Sequence, residues 1–157
     1  MSEPSHSDIR YAAMDFLARR EHSRHELLQK LLRRFGESVG SEGIVEGVID
    51  ELAEENLQSD ARFAEAFVRQ RSQRGYGPLR IRQQMREKGL SDELVSNYLY
   101  ADTSRNWAAI ARAARQKKFG AVLELDYQAK AKQMRFLQYR GFDADIVRRT
   151  VEGRCLD

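Results

Sequence analysis

"DARFAEAFVRQRSQRGYGPLRIRQQMREKGL", Asp60 to Leu90, spells two short amphipathic helices with a glycine-rich break between them. Phe63, Ala64, Phe67 and Val68 recur at the spacing of one helical face. Asp60 stands where an N-cap belongs, with a carboxylate able to accept an end amide. Gly75 and Gly77 break that helix. Pro78 suits the first turn of the next, where its missing N–H would have no helical partner. Ile81 and Met85 make a second inner stripe, and Gly89 stops it. Ser91 or Asp92 caps a third helix, with Leu94, Val95, Tyr98 and Leu99 inside. The unit is three short amphipathic helices joined by tight turns.

The same grammar recurs on both sides. Toward the N-terminus, Ile9, Ala12, Ala13, Phe16 and Leu17 form one face. Ser23 and Glu26 then spell the S-x-x-E capping box, ahead of Leu27, Leu28, Leu31, Leu32 and Phe35, with Gly36 as the stop. A polar loop, ESVGSEG, leads to a helix lined by Ile44, Val45, Val48, Ile49 and Leu52. Residues 1–7, MSEPSHS, read as a disordered start. Toward the C-terminus, Trp107, Ile110, Ala111 and Ala114 line a helix ending near Phe119-Gly120. A helix over Lys132–Arg140 places Phe136 and Leu137 inside and stops at Gly141. Asp143 caps the last helix, over Ile146, Val147 and Val151.

The stop glycines Gly36, Gly89 and Gly141 lie 53 and 52 residues apart, with Leu32, Met85 or Leu137 four residues before each. This is a degenerate tandem repeat. The expected fold is all-α: three tandem three-helix repeats forming an elongated, curved molecule. Its expected parts are a disordered tail over 1–8 and repeats over 9–58, 59–102 and 103–157.

Charge is distributed unevenly. The net charge is +3, but residues 37–55 hold seven acids and no Lys or Arg. Residues 69–88 hold seven basic residues and one acid, and residues 105–149 eleven basic residues and four acids. A basic body with an acidic patch suits a partner of mixed charge. On the central helix, Arg82 and Arg86 stack at i, i+4 on one flank of the Ile81–Met85 stripe, with Arg80 on the other and Leu79 and Gln83 outward. Like charges so placed cost about 0.2–0.5 kcal/mol, which an anionic partner would relieve. The arginine fork suits phosphate or carboxylate pairs, although a charge run is ordinarily a solvated face.

Other chemistries lack their residues. His22 and His25 sit three apart beside Glu21 and Glu26, which is not the H-E-x-x-H zinc pattern; they read as surface or capping histidines, and no metal or cofactor is expected. Gly75-Tyr76-Gly77 is a lone G-x-G with no strand before it. Cys155 has no histidine nearby in the chain and cannot form an internal disulfide. No pair of groups suggests an active site, so a non-enzyme is expected. With no apolar leader and no apolar run long enough for a membrane span, a cytoplasmic protein is expected.

The stretch from Asp60 to Leu90 closely resembles the central signature of the RecX family of recombination regulators. "LARREHSRHELLQKLL" resembles that family's first repeat and "KQMRFLQYRGFDADIV" its third, so the resemblance covers nearly the whole chain beyond the tail. One departure is Ser59-Asp60, where the family often has an acidic pair before the R-F; Asp60 still offers a cap. The resemblance implies three tandem three-helix repeats. It also implies a regulator that lodges in the groove of the RecA nucleoprotein filament and inhibits ATPase, strand exchange and co-protease activity, restraining recombination and the SOS response.

The family has no catalytic residues to carry over. Its basic central surface maps to Arg69, Arg71, Arg74, Arg80, Arg82, Arg86 and Lys88, with Tyr76 between them. Lys117, Lys118, Lys130, Lys132, Arg135 and Arg140 form a secondary basic surface. A monomer is expected, touching RecA carboxylates, DNA phosphates or both. Two other readings are a weak, sequence-non-specific DNA-binding module acting without RecA, and a plain helical scaffold.

Overall fold

Ser5 and Asp8 open the first helix. The Ser5 hydroxyl accepts from the Asp8 N–H at 3.2 Å, and the Asp8 carboxylate accepts from the Ser5 N–H at 3.1 Å. This capping box starts α1, His6–Arg19, inside the stretch expected to be a tail, and His6 also meets Glu51 at 2.9 Å. The computed structural model describes residues 4–36, 41–121 and 125–153; part of the ESVGSEG loop and Cys155 lie outside them.

Among the described residues the chain is all-α, with no strand. After α1 come α2, Arg24–Phe35; α3, Ser41–Glu54; α4, Asp60–Gln73; and α5, Pro78–Glu87. Then α6, Asp92–Val95, runs into a π-helical turn, Ser96–Tyr100, followed by α7, Trp107–Phe119; α8, Tyr127–Arg140; and α9, Ala144–Glu152. The Asp126 carboxylate, accepting from the Ala129 N–H at 2.8 Å, starts α8 five residues before the expected Lys132.

The chain divides into two compact units, Met1–Ala66 with Arg86–Leu94, and Phe67–Met85 with Val95–Asp157. In the first, α1, α2 and α3 pack on one another around Ile9, Leu27, Leu31, Val48, Ile49 and Leu52. In the second, α7, α8 and α9 close over Ala111, Leu137, Phe142, Val147 and Val151, with Trp107 against their edge.

Two caps differ from expectation. Ser23 accepts from the Glu26 N–H at 3.1 Å, but the Glu26 carboxylate binds Arg20 and Lys88 instead of closing the box. Asp60 does not cap its own helix; Ser59 does, accepting from the Arg62 N–H at 3.2 Å. The Asp60 carboxylate instead accepts from the Arg24 N–H at 2.7 Å, satisfying a free end amide of α2.

Candidate functional site

The basic residues of the second unit are organised by a backbone clasp. The Gly77 N–H donates to the Arg140 carbonyl at 2.7 Å, and the Leu79 N–H to the Gly141 carbonyl at 2.9 Å. End carbonyls of α8 thus satisfy amides at the start of α5 that have no helical partner. The approach is close enough to exclude side chains. A Cβ on Gly77 would lie 2.5 Å from the Gly141 carbonyl, and one on Gly141, at φ +97°, would lie 2.5 Å from the Arg80 backbone nitrogen.

The clasp lays guanidinium groups and aromatic rings in alternation. Arg80 sits 4.6 Å from the Tyr139 ring centre and 5.1 Å from that of Tyr76. Arg140 sits 4.7 Å from Tyr76 and 4.9 Å from Phe136. The order is therefore Tyr139, Arg80, Tyr76, Arg140, Phe136. Arg71 adds a flank, 6.0 Å from Tyr76 and 5.1 Å from Phe67. Each guanidinium is attracted by the negative face of a ring, worth roughly 0.5–2 kcal/mol per contact. Two are also pinned: Arg80 Nη1 donates to the Tyr139 carbonyl at 3.1 Å, and Arg140 Nη1 to the Arg74 carbonyl at 2.9 Å.

What is missing from this ladder is negative charge. Among the described residues, Arg71, Arg74, Arg80, Arg82 and Arg140 have no carboxylate within ion-pairing distance. The rings and carbonyls orient the guanidiniums without neutralising them. The remaining N–H groups are left for an anionic group.

The other expected contact residues divide. Arg69 and Arg74 are exposed on and just after α4, Arg82 is half-buried on α5, and Leu79 beside them faces solvent. Arg86, exposed, reaches Asp92 at 3.7 Å, a distance that leaves it weakly engaged. Lys88 is held internally, with its Nζ 3.0 Å from Glu26. In the secondary set, Lys117 and Lys118 stand exposed in the last turn of α7, where the helix dipole favours cations. Lys130 is half-buried, Lys132 and Arg135 are exposed on α8, and Arg140 joins the central ladder.

Tyr139 and Phe136 were not among the expected contact residues. The signal available was the run Tyr139-Arg140-Gly141, which resembles Arg74-Gly75-Tyr76 in composition but says nothing about which residues meet.

The first unit holds a different cluster. Glu26, 8% exposed, receives both Arg20 nitrogens at 2.9 Å and Lys88 at 3.0 Å. Burial alone would raise its carboxyl, but the hydrogen bonds from Arg20 and Lys88 outweigh that and hold it down at about 2. Ser23 clips the same segment by donating to the Lys88 carbonyl at 2.8 Å. His22, expected to be a surface or capping histidine, is 1% exposed. Its Nδ1–H donates to the Arg20 carbonyl at 3.0 Å, and its Nε2 accepts from Lys30 at 2.9 Å. Burial pushes this imidazole below its ordinary value, keeping it neutral. The cluster consumes its own charges and reads as structural. Among the described residues no three His, Cys, Asp or Glu side chains lie where they could share a metal ion.

Comparison with known proteins places this arrangement. Family models described as the first, second and third three-helix domains of RecX match residues 10–52, 59–99 and 108–151. The regulatory protein RecX of Halorhodospira halophila is 47% identical over 140 residues, 89% of this chain and 84% of that one. The chain belongs to the RecX family. The regulatory protein RecX of Pseudomonas putida is 44% identical over 149 residues, covering 95% of this chain and 92% of that one. The fold is similar to a crystal structure of RecX from Lactobacillus salivarius, with a TM-score of 0.74 at 22% identity over 94% of this chain and 95% of that one. A second crystal structure, of a regulatory protein RecX, gives a TM-score of 0.70 at 21% identity over 91% and 71% of the two chains. RecX relatives are thus named as regulatory proteins. No helix among the described residues is long and apolar enough to cross a membrane.

Proposed function

We propose that this protein is a non-enzymatic, cytoplasmic, monomeric regulator that binds the RecA nucleoprotein filament. It inhibits RecA's ATP hydrolysis, strand exchange and co-protease activity, and so restrains recombination and the SOS response. Membership of the RecX family supports the class of function. The observation that carries the choice of surface is the arginine–aromatic ladder, whose guanidiniums are oriented but not neutralised. Arg69, Arg71, Arg74, Tyr76, Arg80, Arg82 and Arg86 make the main contact, joined by Arg140 through the ladder. Lys117, Lys118, Lys130, Lys132 and Arg135 extend it. Lys88, bound to Glu26, contributes to the fold instead. Contacts reaching more than one RecA protomer would resist the movements that ATP turnover requires.

The test is RecA ATP hydrolysis on single-stranded DNA, titrated with this protein. Inhibition at amounts below one chain per RecA is expected. Unaltered hydrolysis at every ratio would remove the reading.

A further inference from the structure

We infer that the open end of the ladder is a stacking platform for an unpaired nucleobase, and that this protein holds single-stranded nucleic acid there by itself. The inference rests on the same basic face as the proposed regulator and deepens that reading. The alternation of ring and guanidinium ends at Tyr139. Arg80 covers one face of that ring, yet Tyr139 remains 72% exposed. A tyrosine so placed has little internal packing to give, and its outer face continues a stack of planar groups. An unpaired base has the planar π-face that such a ring accepts, whatever its identity.

The neighbourhood supplies the other half of the ligand. On α8, Lys132 and Arg135 fall at i−7 and i−4 from Tyr139, on the same helical face, and both are exposed. Arg80, beneath the ring, has its Nη1 fixed on the Tyr139 carbonyl and no carboxylate partner. A base on Tyr139 would therefore have Lys132 and Arg135 along one side of it and Arg80 beneath the ring, cations that suit the phosphate flanking that base in a strand. A carboxylate on a protein surface would use the cations but would leave the exposed ring unused. Duplex nucleic acid would keep its bases stacked inside the helix and could not use the ring either. The combination of platform and flanking cations favours the single strand.

The experiment uses the full chain without RecA. Fluorescence anisotropy follows binding to a labelled oligothymidylate, an abasic oligonucleotide of the same length, and a duplex. Oligothymidylate is expected to bind about tenfold tighter than the abasic strand, the size of one base–aromatic stack. Tyr139→Ala should erase that difference while Tyr139→Phe keeps it, with helicity unchanged in both. With about three phosphate contacts, log affinity should fall with log salt at a slope of roughly −2, reduced by about 0.7 in Arg80→Gln. Equal binding of the abasic strand, equal binding of duplex, or no effect of Tyr139→Ala would overturn the platform. Loss of all oligonucleotide binding alongside intact inhibition of RecA would also overturn it, and would assign the ladder to protein carboxylates while leaving the regulator standing.

Discussion

Gly141 shows how one residue without a side chain can set a charged surface. Its left-handed backbone ends α8, and its α-carbon lies against the Arg80 backbone. Gly141→Ala would introduce both a strained φ and a contact at 2.5 Å with backbone that cannot yield cheaply. A loss of roughly 2 kcal/mol or more in urea unfolding is expected; an unchanged midpoint would mean that the clasp is not tight. Glu26 offers a second test. Its carboxyl lies at about 2 in the fold against an ordinary 4.5, so the stability it supplies is present above the ordinary value and is lost as pH falls through that interval. The span corresponds to something of order 3 kcal/mol. His22, held neutral by burial, acts in the same direction, because acid favours the unfolded chain in which it can charge. Urea unfolding at descending pH should show this decline, and Glu26→Gln should flatten it. An equally steep decline in the variant would place the acid sensitivity elsewhere.

At the scale of helices, apolar spacing and stop glycines made most elements legible. The errors fell at helix starts and at long-range pairings. Asp126 is an ordinary cap, but α8 buries little apolar side chain over its first turns, so periodicity points no further back than Lys132. Ser5 and Asp8 form a box that a polar, proline-containing start disguised. Glu26 and Asp60 have the right residue types for local caps, yet each is drawn to a partner distant in the chain or on another helix. Sequence spacing cannot see such partners. The ladder is the same lesson for function: Arg80 and Tyr76 were expected at the surface, but their stacking with Tyr139 and Arg140 joins residues about sixty positions apart. Helix α3 carries a separate prediction. A Cβ on Gly43 or Gly47 would meet nothing within 4 Å, and neither has a positive φ. Glycine inside a helix costs roughly 0.5–1 kcal/mol relative to alanine. Gly47→Ala should therefore stabilise by about that amount in thermal unfolding, and destabilisation would mean that α3 packs differently from the helix described.

Across the whole molecule, charge is divided by use. Glu26, Arg20 and Lys88 are paired within the first unit. In the second, Arg105, Arg148 and Arg149 also meet carboxylates, but the ladder arginines Arg80 and Arg140 are held in place by rings and carbonyls. Like charges gathered without counter-charges raise the free energy of the isolated protein, and an anionic partner relieves that cost. The family supplies a regulatory role, and the ladder supplies the surface through which we propose it is exerted. The measurement that bears most directly on this is RecA ATP hydrolysis on single-stranded DNA, titrated with the wild type and with an Arg80→Gln/Arg140→Gln variant matched to it in helicity and unfolding midpoint. Inhibition by the wild type is expected, with at least a tenfold higher concentration needed for the same inhibition by the variant, from the loss of two charge-assisted contacts. Equal inhibition by both proteins would contradict this expectation.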